Sequence, residues 1–451
     1  VILAASVLLI LRLHLASERL ESSSEPDRAL ALIVERTMDL DDALAAASPL
    51  ERRLYALTLA DGGGSLGQAI EWYEELARST AGDGAAELRL AILRGEAGRL
   101  DEVQQAVADW ESRGETALAD VVAAAYLAAP AAPGWPAREA ADSLLDPGWF
   151  SDRVALRLAP RLGDAAWLAE TRRMAAARSQ PLLRVVRVLA GSELLFLAVG
   201  VTAVLGLVRA RGRRVAGAPL PPPWPVRAGL VVLVRGGAGG VLITVALLAL
   251  GGWTHRGAAL VEGASLPLMY GPVLLLAGRR LLAPAGLGFA SGFGLRPGPG
   301  GWRALVAVAA VLIGAGIAID VVLGLLSEVA GVPSHWTEWF DEDLAWGPWG
   351  LVTASLLGTV VFAPVLEEIV FRGLLYATLR RRLGWPLAAL LSAAVFAAAH
   401  GYGVAGFGSV FASGLMWAVA YEKTGSLLPG MAAHAANNVS AACAVLALLR
   451  L

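Results

Sequence analysis

The sequence predicts an all-α fold: a polytopic bundle of about eight or nine transmembrane helices joined to an extramembrane α-helical amino-terminal domain. Three observations predict it. Of 451 residues, 56% are apolar and 17% charged, with a mean hydropathy of +0.60, whereas a soluble chain of this length is about a quarter charged. The acidic residues are segregated, 28 of the 39 falling between Leu15 and Val185. Apolar residues recur at helical spacing, and no strand-like alternation interrupts them. The composition argues against a purely soluble enzyme, and a net charge of −2 gives no sign of a nucleic-acid partner.

Each element follows in order. Val1 to Leu13 are apolar apart from Ser6 and Arg12, so residues 1–15 are expected to be an uncleaved transmembrane anchor rather than a signal peptide. From 16 to 180, apolar pairs such as Ala69-Ile70 and Trp72-Tyr73 are interleaved with charge. Gly and Pro breaks cut this stretch into helices of roughly 10 to 18 residues. Segments 67–78 and 98–111 are loosely similar to helix-pair repeats of the tetratricopeptide (TPR) kind, without a firm 34-residue period, and an irregular helical domain is the other reading. Stacked pairs form grooves that hold peptides, so a role in binding a protein partner or in presenting substrate is the expectation for this domain. The single cysteine, Cys443, excludes an intramolecular disulfide and a Cys-based zinc site.

Beyond 180, apolar runs at 188–208, 228–250, 258–278, 304–326, 350–371, 386–400, 404–421 and 426–449 suit a hydrocarbon core of about 30 Å. The runs at 386–400 and 404–421 are short and share a Gly-rich bend, so one of them is expected to tilt or stop part-way. These runs divide into transmembrane helices with basic loops at 181–286 and a core at 287–451. Arg209, Arg211, Arg213, Arg214 and Arg227 make one basic connection, and Arg279, Arg280, Arg296 and Arg303 another, so both are expected in the cytoplasm. The 327–349 connection carries Glu328, Glu338, Asp341, Glu342 and Asp343 without Lys or Arg, as an external loop would. That arrangement puts 16–180 outside the cytoplasm of an integral protein of a bacterial plasma membrane.

Ionisable residues within lipid are functional candidates by default. Arg235, Glu193 and Glu262 lie near span ends, and Asp320 is expected to face water. A different set remains. Glu367, Glu368 and Arg372 share one apolar helix, where Glu368 and Arg372 are one turn apart and can pair, while Glu367 points elsewhere. Phe396 with His400, and His434 with Asn438, each share a helix face at i,i+4 spacing. Measured from the basic helix ends, Glu367, His400 and His434 lie at roughly 20, 21 and 16 Å. They are expected to meet at one level, reached from the cytoplasmic side.

Glu367-Glu368-x-x-x-Arg372, Phe396-x-x-x-His400 and His434-x-x-x-Asn438, in this order and in separate apolar helices, resemble the three motifs of the CPBP intramembrane proteases. This family, also called ABI or CAAX-protease, includes the type II CAAX prenyl endopeptidases. The resemblance covers approximately 287–449, with support from Gly294-Leu295-Arg296 and from Thr424-Gly425-Ser426-Leu427. It implies an endopeptidase acting on a membrane-associated or prenylated peptide substrate, with membrane lipid as its surroundings.

The residue types suit that chemistry. Peptide hydrolysis needs an activated water, a donor for the developing oxyanion and a proton for the leaving amine. Glu367, helped by His400, is expected to hold and deprotonate the water, since a carboxylate in an apolar cavity is a better base than an exposed one. His434 and Asn438 are expected to donate to the oxyanion, Glu368 and Arg372 to brace Glu367, and Phe396 to wall the cavity. The resemblance implies the same assignment. For metal, Glu367, His400 and His434 match a zinc shell in number, and the family is commonly described as metalloproteases. Asn is a poor zinc ligand and His-Glu-x-x-His is absent, so the expectation leans to no obligatory metal, with Zn as the alternative. A serine protease would need more than Ser409 after Gly408, and an aspartyl protease a second intramembrane Asp besides Asp320. The alternative from another class is a non-catalytic immunity or scaffold protein binding a peptide in the same cavity.

Overall fold

The computed structural model describes residues 25–49, 51–52, 65–79, 83–127, 135–209, 218–251, 258–297, 301–332 and 335–450. The anchor expected at 1–15 and most of the basic connection after Arg209 lie outside them. Among the described residues all regular structure is helical. The chain divides into two compact units, one over Arg19–Val188 and one over Leu189–Val445.

The first unit contains α1 (Pro26–Ala45), α2 (Ser65–Ser79), α3 (Gly84–Glu96), α4 (Leu100–Arg113), α5 (Thr116–Tyr126), α6 (Ala137–Leu144) and α7 (Trp149–Leu162). Local signals set their ends. Pro26 opens α1 where a missing N–H costs nothing. The Asp83 carboxylate accepts from the Ala85 N–H at 3.0 Å to cap α3. Gly114 and Gly163, both in the left-handed region, close α4 and α7. Ile33, Tyr73, Leu76, Ile92, Trp110 and Phe150 are almost wholly buried and form the core. Arg178 joins it from α8 (Ala165–Arg209). Its Nε donates to Asp39 at 3.0 Å, and it also pairs with Asp152. At 45 residues, α8 is about 68 Å long, more than twice the hydrocarbon thickness.

The second unit contains the rest of α8, then α9 (Val226–Gly251), α10 (Ala258–Ala277), α11 (Gly301–Ala330), α12 (Trp349–Arg380), α13 (Trp385–Ala398), α14 (Val404–Thr424) and α15 (Leu428–Arg450). Of the described helices, seven are long and apolar enough to cross a membrane: α8 to α12, α14 and α15. The run expected at 386–400 forms only the 14-residue α13, about 21 Å long, shorter than a hydrocarbon core of about 30 Å. In α9, Gly236 and Gly240 let α10 approach closely. A Cβ at Gly240 would stand 2.5 Å from the Met269 carbonyl oxygen, and one at Gly236 would run into Val273.

The basic ends gather together. Arg380 pairs with Glu422 at 3.1 Å, Lys423 lies over the Trp385 ring at 5.2 Å, and Arg381 donates to the Pro222 carbonyl at 2.6 Å. The Gly294 and Thr424–Leu427 segments form a clasp at this end. Gly294 has φ +67°, and its carbonyl accepts from Ser426 Oγ at 3.0 Å and from Leu427 N–H at 3.1 Å. The opposite end carries the acidic connection. There Trp336, Phe340 and Trp346 stack edge to face at 5.6 Å spacings, and Asp341 caps the short helix Glu342–Trp346.

Candidate functional site

The site begins with an irregular helix. Pro364 has no N–H, and α12 widens ahead of it into a π turn over Gly358–Phe362, with a second over Glu368–Tyr376. In the first π turn the Ala363 N–H bonds the Gly358 carbonyl. The donor that would serve Thr359 in that pattern is Pro364, so the Thr359 carbonyl is left open. Asn438 Nδ2 closes it from α15, donating at 2.8 Å. One hydrogen of the Asn438 amide is thereby committed to α12.

The second π turn holds the charges. Arg372 Nη1 donates to Glu368 Oε1 at 2.8 Å, with both side chains almost fully buried. The guanidinium lies over the rings of Phe396 at 4.1 Å and Trp417 at 5.1 Å, which supplies cation–π attraction in a desolvated setting. Two glycines make room: a Cβ at Gly414 would meet Arg372 Nη2 at 2.6 Å, and one at Gly430 would meet Glu368 Oε2 at 3.0 Å.

His434 stacks on Trp417 with ring centroids 4.4 Å apart and meets Phe396 edge-on at 5.9 Å. Its Nε2 is 3.8 Å from Glu367 Oε2 and its Nδ1 3.6 Å from Glu368 Oε1, both beyond hydrogen-bonding distance. Glu367 Oε2 and His434 Nδ1 are buried without hydrogen-bond partners. His400 is oriented by its own helix, since its Nδ1 lies 2.8 Å from the Phe396 carbonyl. A carbonyl only accepts, so Nδ1 carries the hydrogen and Nε2 is the acceptor of the neutral ring.

Glu367, Phe396, His400, His434 and Asn438 line one cavity of about 600 Å³. Glu368 and Arg372 stand behind its wall. The cavity extends towards the acidic connection, with Glu338, Trp339, Phe340 and Asp341 in its lining. No residue of the basic end lines it, which differs from the expected approach from that side. The cause is depth: the motif residues lie about 20 Å along their helices from the basic ends, nearer the opposite surface. Asp320 also differs from expectation, accepting from Ser409 Oγ at 2.5 Å rather than facing water alone.

Among the described residues no three His, Cys, Asp or Glu side chains are grouped to hold a metal ion. Glu367, His400 and His434 share the cavity but form no such group. Sequence reasoning missed Trp417, Gly414 and Gly430. Trp417 does stand i+3 from Gly414, but only tertiary packing reveals that both face Arg372.

In comparison with known proteins, residues 348–440 match the family model described as Type II CAAX prenyl endopeptidase Rce1-like. No curated protein and no solved structure was found to match the chain.

Proposed function

From the match of residues 348–440 to the type II CAAX prenyl endopeptidase Rce1-like model, which supports a place in the CPBP (CAAX-protease) family, we propose that the chain is an intramembrane endopeptidase hydrolysing a peptide bond of a membrane-associated or prenylated substrate. Its seven candidate spans and its family make it an integral membrane protein. The observation that carries the reading is the shared cavity, where the Glu367 carboxylate and the His434 ring keep unpartnered polar atoms beside His400 and Asn438.

In the proposed reaction Glu367 and the His400 Nε2 acceptor hold a water between them. Glu367 takes one proton as the oxygen attacks the scissile carbonyl. His434 and the uncommitted N–H of Asn438 donate to the oxyanion. Collapse of the tetrahedral intermediate breaks the C–N bond, and Glu367 returns the proton to the leaving amine. Glu368 and Arg372 fix the helix that carries Glu367, and Phe396 keeps bulk water out. We propose that no metal is obligatory, because an Asn and dispersed Glu and His donors suit hydrogen bonding better than zinc coordination. Activity that survives exhaustive chelation supports this, and activity restored only by Zn²⁺ overturns it.

The direct test compares membrane-protein amino termini, by mass spectrometry, in cells carrying the wild type or Glu367→Ala at equal expression. Termini found only with the wild type establish the peptidase and identify its substrate. Identical profiles refute it. From the basic connections we further propose that the basic end lies in the cytoplasm of a bacterial plasma membrane and residues 16–180 outside it. Resistance of 16–180 to protease added outside the plasma membrane would contradict that orientation.

A further inference from the structure

A second charged site lies away from the cavity, on the outer face of α9. A groove of about 390 Å³ is lined there by Arg227, Leu230, Val231, Val234 and Arg235 of α9 and by Arg382 of the α12–α13 connection. In α9 these positions follow i, i+3, i+4, i+7 and i+8 spacing, so they share one side of the helix. The opposite side carries Gly229, Gly236 and Gly240, which pack against Thr378, Val273 and Met269. The groove therefore faces away from the bundle. Its charge has no protein partner. No Asp or Glu occurs from 194 to 261 or from 369 to 421, and the acid at this end, Glu422, is taken by Arg380 and Tyr376. Among the described residues no acid pairs with Arg227, Arg235 or Arg382. A second, independent observation is depth. The span starts at Val226, so Arg235 is about 14 Å into it rather than at its end. An arginine at that depth is costly, and such residues normally face the bundle interior or pair with another group. Arg235 does neither: it is exposed, as are Leu230, Val231 and Val234 beside it.

We infer that this groove binds one anionic phospholipid, with the headgroup phosphate between the three guanidiniums and an acyl chain along the apolar floor. Helical side chains lean towards the helix amino terminus, which in α9 is the basic end. The Arg235 stem therefore covers the turn between it and Arg227 and carries its guanidinium towards headgroup depth. Arg227, in the first turn of α9, and Arg382, in the connection after α12, belong to that end already. Guanidinium groups suit a phosphate because their paired N–H groups match its oxygens two at a time. The exposed Leu242 and Val245 continue the same side of α9 for the acyl chain. A basic pocket between helices at the end of their spans suits an anionic lipid headgroup. A free phosphate would leave Leu230, Val231 and Val234 uncovered, so a lipid is the ligand that satisfies both parts of the groove. The site is separate from the proposed peptidase chemistry, since none of its residues lines the cavity that holds Glu367.

The test measures lipid binding to the full chain in detergent by native mass spectrometry, with phosphatidylglycerol and phosphatidylcholine of the same acyl chains as probes. Wild type is expected to hold phosphatidylglycerol at least about tenfold more tightly than phosphatidylcholine. Arg227→Gln, Arg235→Gln and Arg382→Gln together are expected to reduce that preference below about threefold. Arg279→Gln, Arg296→Gln and Arg303→Gln remove the same charge from the basic end outside the groove, and are expected to leave the preference unchanged. Excess inorganic phosphate is expected not to displace the lipid, because the buried acyl chain supplies much of the binding. Equal affinity for the two lipids overturns the inference. So does an equal loss of preference in the two triple variants, which would show a diffuse attraction of the whole basic end. Displacement by inorganic phosphate overturns it too, and would make a free phosphate the ligand. The three groove arginines are exposed, so the unfolding midpoint of their triple variant in phosphatidylcholine is expected within a few degrees of wild type. If that variant does not fold, Arg382→Gln alone is expected to lower the preference at least about threefold, and an unchanged preference overturns the inference.

Discussion

A half-buried arginine in one unit and a fully buried arginine in the other set the two apart. In the amino-terminal unit, Arg178 donates to Asp39 through Nε at 3.0 Å and through Nη2 at 3.3 Å, and pairs with Asp152 as well. That network is closed. In the membrane unit Arg372 gives one hydrogen bond, to Glu368, while its Nε and Nη2 have no hydrogen-bond partner and face aromatic rings. Nearby, Glu367 Oε2 and His434 Nδ1 are also unpartnered. Most buried polar atoms in native proteins are paired, so each unpaired one calls for an explanation. The Arg178 network therefore reads as architecture, while the Arg372 frame leaves neighbouring groups open, as the proposed reaction needs for a substrate and a water.

The largest effect that would sharpen this contrast is on activity. Glu367→Ala is expected to lower kcat/KM by about 10³-fold or more, in the range of losing a general base, with a thermal unfolding midpoint in detergent within a few degrees of wild type. A large fall in that midpoint would make Glu367 structural and break the comparison. Next comes stability of the membrane unit. Arg372→Met leaves Glu368 buried and uncompensated, which is expected to destabilise by about 3–5 kcal/mol. Adding Glu368→Gln is expected to recover much of that loss, because no lone charge then remains buried. Denaturant unfolding of the two variants in one detergent checks both statements. Third, Arg178→Ala is expected to cost about 2–3 kcal/mol in the amino-terminal unit, since Arg178 is partly solvated. Hydrogen exchange should localise the change to α1 and α7, with peptidase kinetics unaltered. Altered kinetics would show the two units to be coupled.

How far the site could be read from the sequence follows the same division. The helical class, and the pairing of Glu368 with Arg372, are legible because hydropathy and i,i+4 spacing are local. The common depth of Glu367, His400 and His434 is also legible, since it needs only the rise per residue and the basic ends as a baseline. What was not legible depends on tertiary packing. The bond from Asn438 to Thr359 exists because Pro364 disrupts α12 on a different helix. The stacking of His434 on Trp417 and the clearance at Gly414 and Gly430 need neighbours that sequence spacing does not reveal. The direction of the cavity is not legible either, because the basic ends give a baseline for depth and say nothing of where the lining opens, which is towards Glu338 and Asp341.

The smallest expected effect tests the closed side of the comparison through pH. In the amino-terminal unit, burial pushes the Glu35 carboxyl from 4.5 up to about 7, with the Arg89 guanidinium acting in the opposite direction. Burial also raises Asp39 and Asp152, the two partners of Arg178. A raised acid binds its proton more tightly in the folded state than in the unfolded one. The stability it contributes is therefore fully present below pH 4.5 and is lost as pH rises through about 7. Discounted for the solvated part of the side chain, the loss is on the order of 2 kcal/mol. Hydrogen-exchange protection of α1, corrected for intrinsic exchange rates, should fall by about that amount from pH 4.5 to pH 8. Glu35→Gln cannot ionise, so it should keep its protection at pH 8 apart from a residual slope from Asp39 and Asp152. If wild type and Glu35→Gln show the same slope, the titrating groups are the two aspartates, and the Arg178 network is less closed than its hydrogen bonds indicate.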